Sequence, residues 1–149
     1  MRIRAMDRLR EDRGSSLIEF CLISVMLVIV LLGVVEMGRM VLVYTTIANA
    51  AREGARYAIV HGAEQTASPS GPGNPCTSPD VQTVVKNFAS AGLLNTDSLT
   101  ITVSYPDGSN TAGSHVSVKV TYPYDPFVNY FSSILNQTLG STSQGVITF

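Results

Sequence analysis

Residues 17–35 read LIEFCLISVMLVIVLLGVV, nineteen residues with one charge, Glu19, and two other non-apolar breaks, Ser24 and Gly33. A helix rises 1.5 Å per residue, so this stretch covers about 28 Å, close to the hydrocarbon thickness of a bilayer. A soluble core helix would show a polar residue every third or fourth position. Between Cys21 and Leu32 the chain offers Ser24 alone. The stretch is apolar all round and belongs in lipid.

On its N-terminal side stand Arg2, Arg4, Arg8, Arg10 and Arg13; in the fifteen residues after it there is only Arg39. That asymmetry places the N-terminus in the cytoplasm and the bulk of the chain outside, as a single-pass anchor. An ordinary secretory signal would be shorter and followed by a small-x-small cleavage site. EMGRMVLVYTT, beginning at Glu36, has no such site and continues a helical pattern. Met37, Met40, Val41, Tyr44, Ile47, Ala48, Ala51, Ala55, Ala58 and Ile59 recur at three-to-four spacing. The spacing predicts one helix from Ser15 to about His61, about 70 Å long, closed by Gly62. Arg52 and Arg56, at helical neighbour spacing, are expected to repel.

The whole chain has 149 residues, 45% apolar and 14% charged, against about 25% charged in ordinary soluble domains. Ten Lys+Arg and eleven Asp+Glu give a net charge of −1, so no global basic field exists to hold nucleic acid. Residues 62–79, GAEQTASPSGPGNPCTSP, form a Pro/Gly loop. Asp80 then caps a short helix with Val81, Val84, Val85, Phe88 and Leu93 at helical spacing, ended by Gly92. Leu99, Ile101, Val103 and Tyr105 alternate with polar residues, as do Val116, Val118, Val120 and Tyr122. Joined by PDGSNTAGS, the two runs read as an antiparallel hairpin. Residues 127–139 read as a short helix or loop, and GVITF at 145–149 as a third strand.

The expected fold is therefore α+β and membrane-anchored. A long N-terminal helix, half in lipid and half outside, packs against a small antiparallel β-sheet. By residue number the organisation is a basic leader at 1–14, a transmembrane helix at 15–36 and its exterior continuation at 37–61. The loop at 62–79 and a small α+β exterior domain at 80–149 follow. Ala51, Gly54 and Ala55 put small side chains on the exterior half of the helix. They permit either close packing between subunits or close packing beneath the protein's own sheet.

The most informative residues are Arg13-Gly14-Ser15-Ser16-Leu17-Ile18-Glu19-Phe20. A basic leader ends in glycine, the apolar span starts at once, and a carboxylate follows five residues later. Glycine lets a protease at the membrane face thread the backbone. Cleavage after Gly14 would leave an ammonium on Ser15, with Glu19 one helical turn away to compensate it or a neighbour's. An ionisable group inside an apolar span is a functional candidate. The competing reading has Glu19 favouring the positive helix end and reaching the headgroups.

RGSSLIEF followed by an uninterrupted apolar helix resembles the processing site of type IV prepilins and pseudopilins. The wider stretch, from RGSSLIEF to IANAAREGARYA, looks like the TadE-like family of tight-adherence (Flp) pilus proteins. Gly14, Glu19 and Phe20 match its N-terminal motif, and residues 50–56 (AAREGAR) its downstream segment. The family often has a proline early in the span; this chain has Ser24-Val25 instead, so no kink is expected there. The resemblance implies a pilin-like fold and cleavage between Gly14 and Ser15 by a prepilin peptidase. It implies a minor pilin or pseudopilin, with Glu19 and Phe20 serving assembly. The implied partners are the prepilin peptidase, other pilins or minor pilins, the inner-membrane pilus assembly platform and membrane lipid. The implied location is the cytoplasmic (inner) membrane or a surface pilus.

No cofactor or metal is expected: His61 and His115 are the only histidines, without a CxxC or HExxH pattern. Cys21 in the span and Cys76 in the loop are too far apart along the helix to bridge. No nucleophile, base or metal cluster points to an enzyme. The alternative to a pilin is an extracytoplasmic binding protein held by an uncleaved anchor, with the sheet and the Cys76 loop as its ligand surface.

Overall fold

A computed structural model of the chain describes residues 3–64, 81–92, 94–127 and 137–148, with side chains described from residue 14 onward. Helix α1 spans Ile3–Val60, followed by α2 at Val81–Ala91, a 3-10 turn at Thr96–Ser98, and strands β1 (Thr100–Ser104), β2 (His115–Tyr124) and β3 (Gln137–Val146). The chain divides into two compact units, Met1–Gly38 and Arg39–Phe149, and α1 contributes to both.

In the first unit the helix starts at Ile3 rather than at the expected Ser15. Arg, Leu, Met and Glu are good helix formers, and IRAMDRLRED holds them without a Gly or Pro to interrupt. From Leu17 to Val35 the apolar side chains face outward, and the helix is long and apolar enough to cross a bilayer. No proline interrupts this stretch, and the helix continues through Ser24-Val25.

The second unit supplies a core. Ile47, Ala50, Ala51, Ala55 and Ala58 of α1 are buried with Val81, Val85 and Ala89 of α2, and with Val116, Val118 and Val120 of β2. Leu99 and Ile147 complete it. The sheet order is β1-β2-β3, antiparallel throughout. The hairpin register pairs Ser104 with Ser117 and Thr100 with Thr121. On β1 the even-numbered residues are exposed and the odd ones half-buried, as the alternation predicts.

Three contacts fix the direction of α1 on the sheet. Arg39 meets Tyr124 and Asp125, Gly54 faces Val118, and Ile59 lies against Gly145. Helix residues 39–60 therefore run antiparallel to β2 and in the same sense as β1 and β3. At the far end a clasp closes the unit. The Thr148 backbone N–H donates to the Ile59 carbonyl at 3.0 Å, and its hydroxyl donates to the same oxygen at 3.2 Å. Close approach favours glycine at Gly54 and Gly145, as it does at Gly92 beside Thr46. A methyl on Gly54 would strike the Val85 side chain, and one on Gly145 would strike Ile59.

Two expectations about the exterior need correction. The third strand is not GVITF: it begins at Gln137 and ends at Val146, taking in residues read as helix or loop. Its inward positions are Leu139, Ser141, Ser143 and Gly145, half-buried at most. A strand whose inner face is mostly serine and glycine shows no hydrophobic alternation to detect. On α2 the buried row is Val81, Val85 and Ala89, while Phe88 is 40% exposed. Residues four apart share a helix face, and Phe88 falls beside that row. Asp80, Leu93 and Cys76 lie outside the described residues.

Candidate functional site

The residues singled out at the N-terminal junction occupy consecutive positions of α1. Gly14, Ser15, Glu19 and Phe20 are all exposed. A side chain on Gly14 would meet nothing within 4 Å, so no packing requirement keeps a glycine there. Gly14-Ser15-Ser16 is nevertheless a weak point in the helix. Glycine costs about 1 kcal/mol relative to alanine in a helix interior, and serine is only a moderate helix former.

Ser15 and Glu19 stand one helical turn apart, about 6 Å along the axis. That spacing suits electrostatic compensation between a charge at the first position and a carboxylate at the second. Phe20 follows directly, with its ring exposed on the helix surface. Cys21 beside it is an exposed free thiol.

Ala51, Gly54 and Ala55 are buried in the second unit, within the chain's own core. Val81 and Val85 of α2 and Val118 of β2 close on Gly54. Of the two packing readings, the structure places these residues beneath the protein's own sheet and α2. Arg52 and Arg56 lie on the exposed side of the same helix, and each turns to a partner three residues earlier. Arg52 Nη1 donates to Asn49 Oδ1 at 3.3 Å, and Arg56 Nη1 is 3.8 Å from Glu53 Oε2. Each guanidinium, which spacing alone sets against the other, has a polar partner of its own.

The histidines have ordinary structural roles here. His61 stacks on Tyr57 with ring centroids 3.8 Å apart, and its Nδ1 donates to the Tyr57 carbonyl at 2.9 Å. His115 meets Asp107 across the β1–β2 turn. Its Nδ1 and its backbone N–H both donate to Asp107 Oδ2, at 2.8 and 2.7 Å. The side-chain bond, then the backbone bond, hold the Asp107 carboxyl below its usual range. Among the described residues no three His, Cys, Asp or Glu side chains converge on a possible metal position.

One contact escapes the sequence reading altogether. Arg39, the first residue of the second unit, sets its guanidinium over the Tyr124 ring at 5.1 Å and donates from Nη2 to the Asp125 carbonyl at 2.8 Å. Eighty-six residues separate Arg39 from Asp125, and no local spacing signals such a contact.

No curated protein and no solved structure gives a significant match to the chain. A family model does, over less than half of its length. From Gly14 through Glu19 and Phe20 to Arg56, residues 14–56 match the family described as TadE-like protein, the family that these residues resemble on sight.

Proposed function

We propose that the chain is a minor pilin or pseudopilin of a tight-adherence pilus, processed after Gly14 by a prepilin peptidase and needed for pilus assembly and adhesion. The observation that carries this reading is the join of Gly14 to an exposed apolar helix with Glu19 five residues on, inside the TadE-like segment. The peptidase hydrolyses the Gly14–Ser15 peptide bond at the cytoplasmic face and releases the basic leader. The new ammonium of Ser15 adds to the positive end of the helix dipole. Glu19 offsets both, in its own chain or in the chain beside it. That compensation matters most in lipid, where an unpaired charge is costly.

The helix then anchors the subunit at the assembly platform with the sheet outside. Other pilins or minor pilins are its neighbours, and membrane lipid covers the exposed side chains until assembly replaces it. N-terminal sequencing of protein extracted from membranes of cells holding the peptidase tests the reading. Ser15 is the expected first residue. A chain that still starts at Met1 in such cells overturns the reading and leaves a tethered ectodomain.

A further inference from the structure

Within the second unit, the outward side of α1 changes character along its length. Val41 and Leu42 are 61% and 68% exposed, and Tyr44 is 48% exposed. From Met40 to Ala48 the chain reads MVLVYTTIA and holds no charge. Beyond it the exposed residues of the helix are polar or charged, beginning with Asn49, Arg52 and Arg56. Phe127, two residues past the Asp125 carbonyl that accepts from Arg39, is 87% exposed. The second unit therefore carries an apolar, partly aromatic surface of its own around the Arg39 contact.

The hydroxyls of the uncharged stretch are turned back on the helix. Thr45 Oγ1 and Thr46 Oγ1 both donate to the Leu42 carbonyl at 2.9 Å. A hydroxyl satisfied by its own backbone can enter an apolar layer without losing a partner. A protein partner is oriented by polar groups around an apolar centre. With both threonines turned back, Met40 to Ala48 offer such a partner only the Tyr44 hydroxyl. Lipid requires no such orientation, and tyrosine is the kind of side chain enriched where membrane meets water.

The covalent chain keeps lipid within reach. Val41 follows Val35, the end of the apolar span, by six residues. Six residues extend about 20 Å at most, however the two units are arranged. Arg39 and Asp125, both exposed beside the surface, set its depth. Charge is costly in hydrocarbon but is accommodated among headgroups, where long side chains can reach water.

We propose that Val41, Leu42, Tyr44 and Phe127 form a membrane-docking surface on the second unit, seated at the boundary between headgroups and acyl chains. Helix α1 then leaves the lipid between Thr45 and Asn49 instead of at Val35. Apolar faces at such a boundary sink about 5–10 Å below the headgroups. The proposal rests on the membrane anchor and is independent of cleavage after Gly14.

Single cysteines in the full-length chain, with Cys21 and Cys76 replaced by serine, test the surface in phospholipid vesicles. Val41→Cys, Leu42→Cys and Phe127→Cys carry a bimane label, with Val28→Cys as the lipid reference and Arg52→Cys and Arg56→Cys as the water references. All six positions are exposed, so the label displaces no core side chain. Lipids brominated near the headgroup should quench bimane at positions 41, 42 and 127, and iodide present on both sides of the vesicle should lose its effect there. At positions 52 and 56 iodide should quench and brominated lipid should not. Iodide quenching at 42 or 127 equal to that at 52 puts the surface in water and overturns the proposal. Protection from both quenchers at 41, 42 and 127, retained when the lipid-to-protein ratio is raised, means that protein covers the surface and overturns it equally. The assay needs no peptidase, so its failure leaves the processing reading standing.

Discussion

The Arg39 guanidinium lies 5.1 Å from the centre of the Tyr124 ring. It ties α1, where the helix enters the second unit, to the last residue of β2, and its bond to the Asp125 carbonyl holds the chain where it leaves the sheet. A cation over an aromatic face contributes about 0.5–1 kcal/mol at an exposed site. A charge-assisted hydrogen bond contributes about 1.5–3. Together these give about 2–4 kcal/mol, and solvent screens part of it at this exposed site, so Arg39→Ala should lower the stability of the second unit by about 1–3 kcal/mol. Arg39→Lys should recover part of this, since lysine keeps the charge and loses the planar fork. Denaturant unfolding of the detergent-extracted chain checks both; an unchanged midpoint for Arg39→Ala refutes the role.

Gly54→Ala sets two effects against each other. Alanine gains about 1 kcal/mol of helix propensity over glycine. Overpacking a filled core costs about 1–3 kcal/mol, and here the new methyl meets Val85 and Val118. The net change should be destabilising, read as a lower thermal midpoint. A rise would mean that α2 yields easily and that the seat of Gly54 is loose.

Asp107 gives the second unit a pH dependence with a definite sign. Its carboxyl is held below the ordinary value near 3.9, first by the His115 side chain and then by the His115 backbone N–H. A depressed folded-state pKa means that the contribution is present above the unfolded value. It is lost as the pH falls through the folded one. Acid unfolding followed by circular dichroism should show this loss, and Asp107→Asn should flatten the curve over that interval. An identical acid limb in the variant would remove Asp107 from the account.

Glu19→Ala separates processing from assembly. The peptide bond after Gly14 remains, so the variant should be cleaved to Ser15 like the parent. Without the carboxylate the new ammonium has nothing to offset it, and the yield of assembled pili should fall sharply. Pilus counts equal to the parent's would reduce Glu19 to a surface position on the helix.

Much of this could be read directly from the residues. Residues 17–35 announce their solvent, since one charge in nineteen leaves no watery face for the helix. The hairpin is legible because Val116, Val118 and Val120 alternate against a buried side. The start of β3 is not, because serine and glycine fill its inner positions and the pairing with β2 is what makes it a strand. Ala89 is buried on α2 in the row of Val81 and Val85 while the larger Phe88 beside that row is 40% exposed, which composition alone does not disclose. Gly14, Glu19 and Phe20 stand out as a motif, yet their geometry is only that of an exposed helix. The Arg39–Tyr124 contact depends on the folded path of the chain and has no local signature.

The alignment of α1 residues 39–60 with the strands also determines how the second unit meets mechanical load. Tension applied along the axis of α1 at Arg39 acts along the strands, so it shears the helix lengthwise over the sheet instead of peeling it off one turn at a time. The Gly54 seat, the Ile59–Gly145 contact and the Thr148 clasp then resist together. A subunit built this way should stretch little before it yields, and should yield all at once.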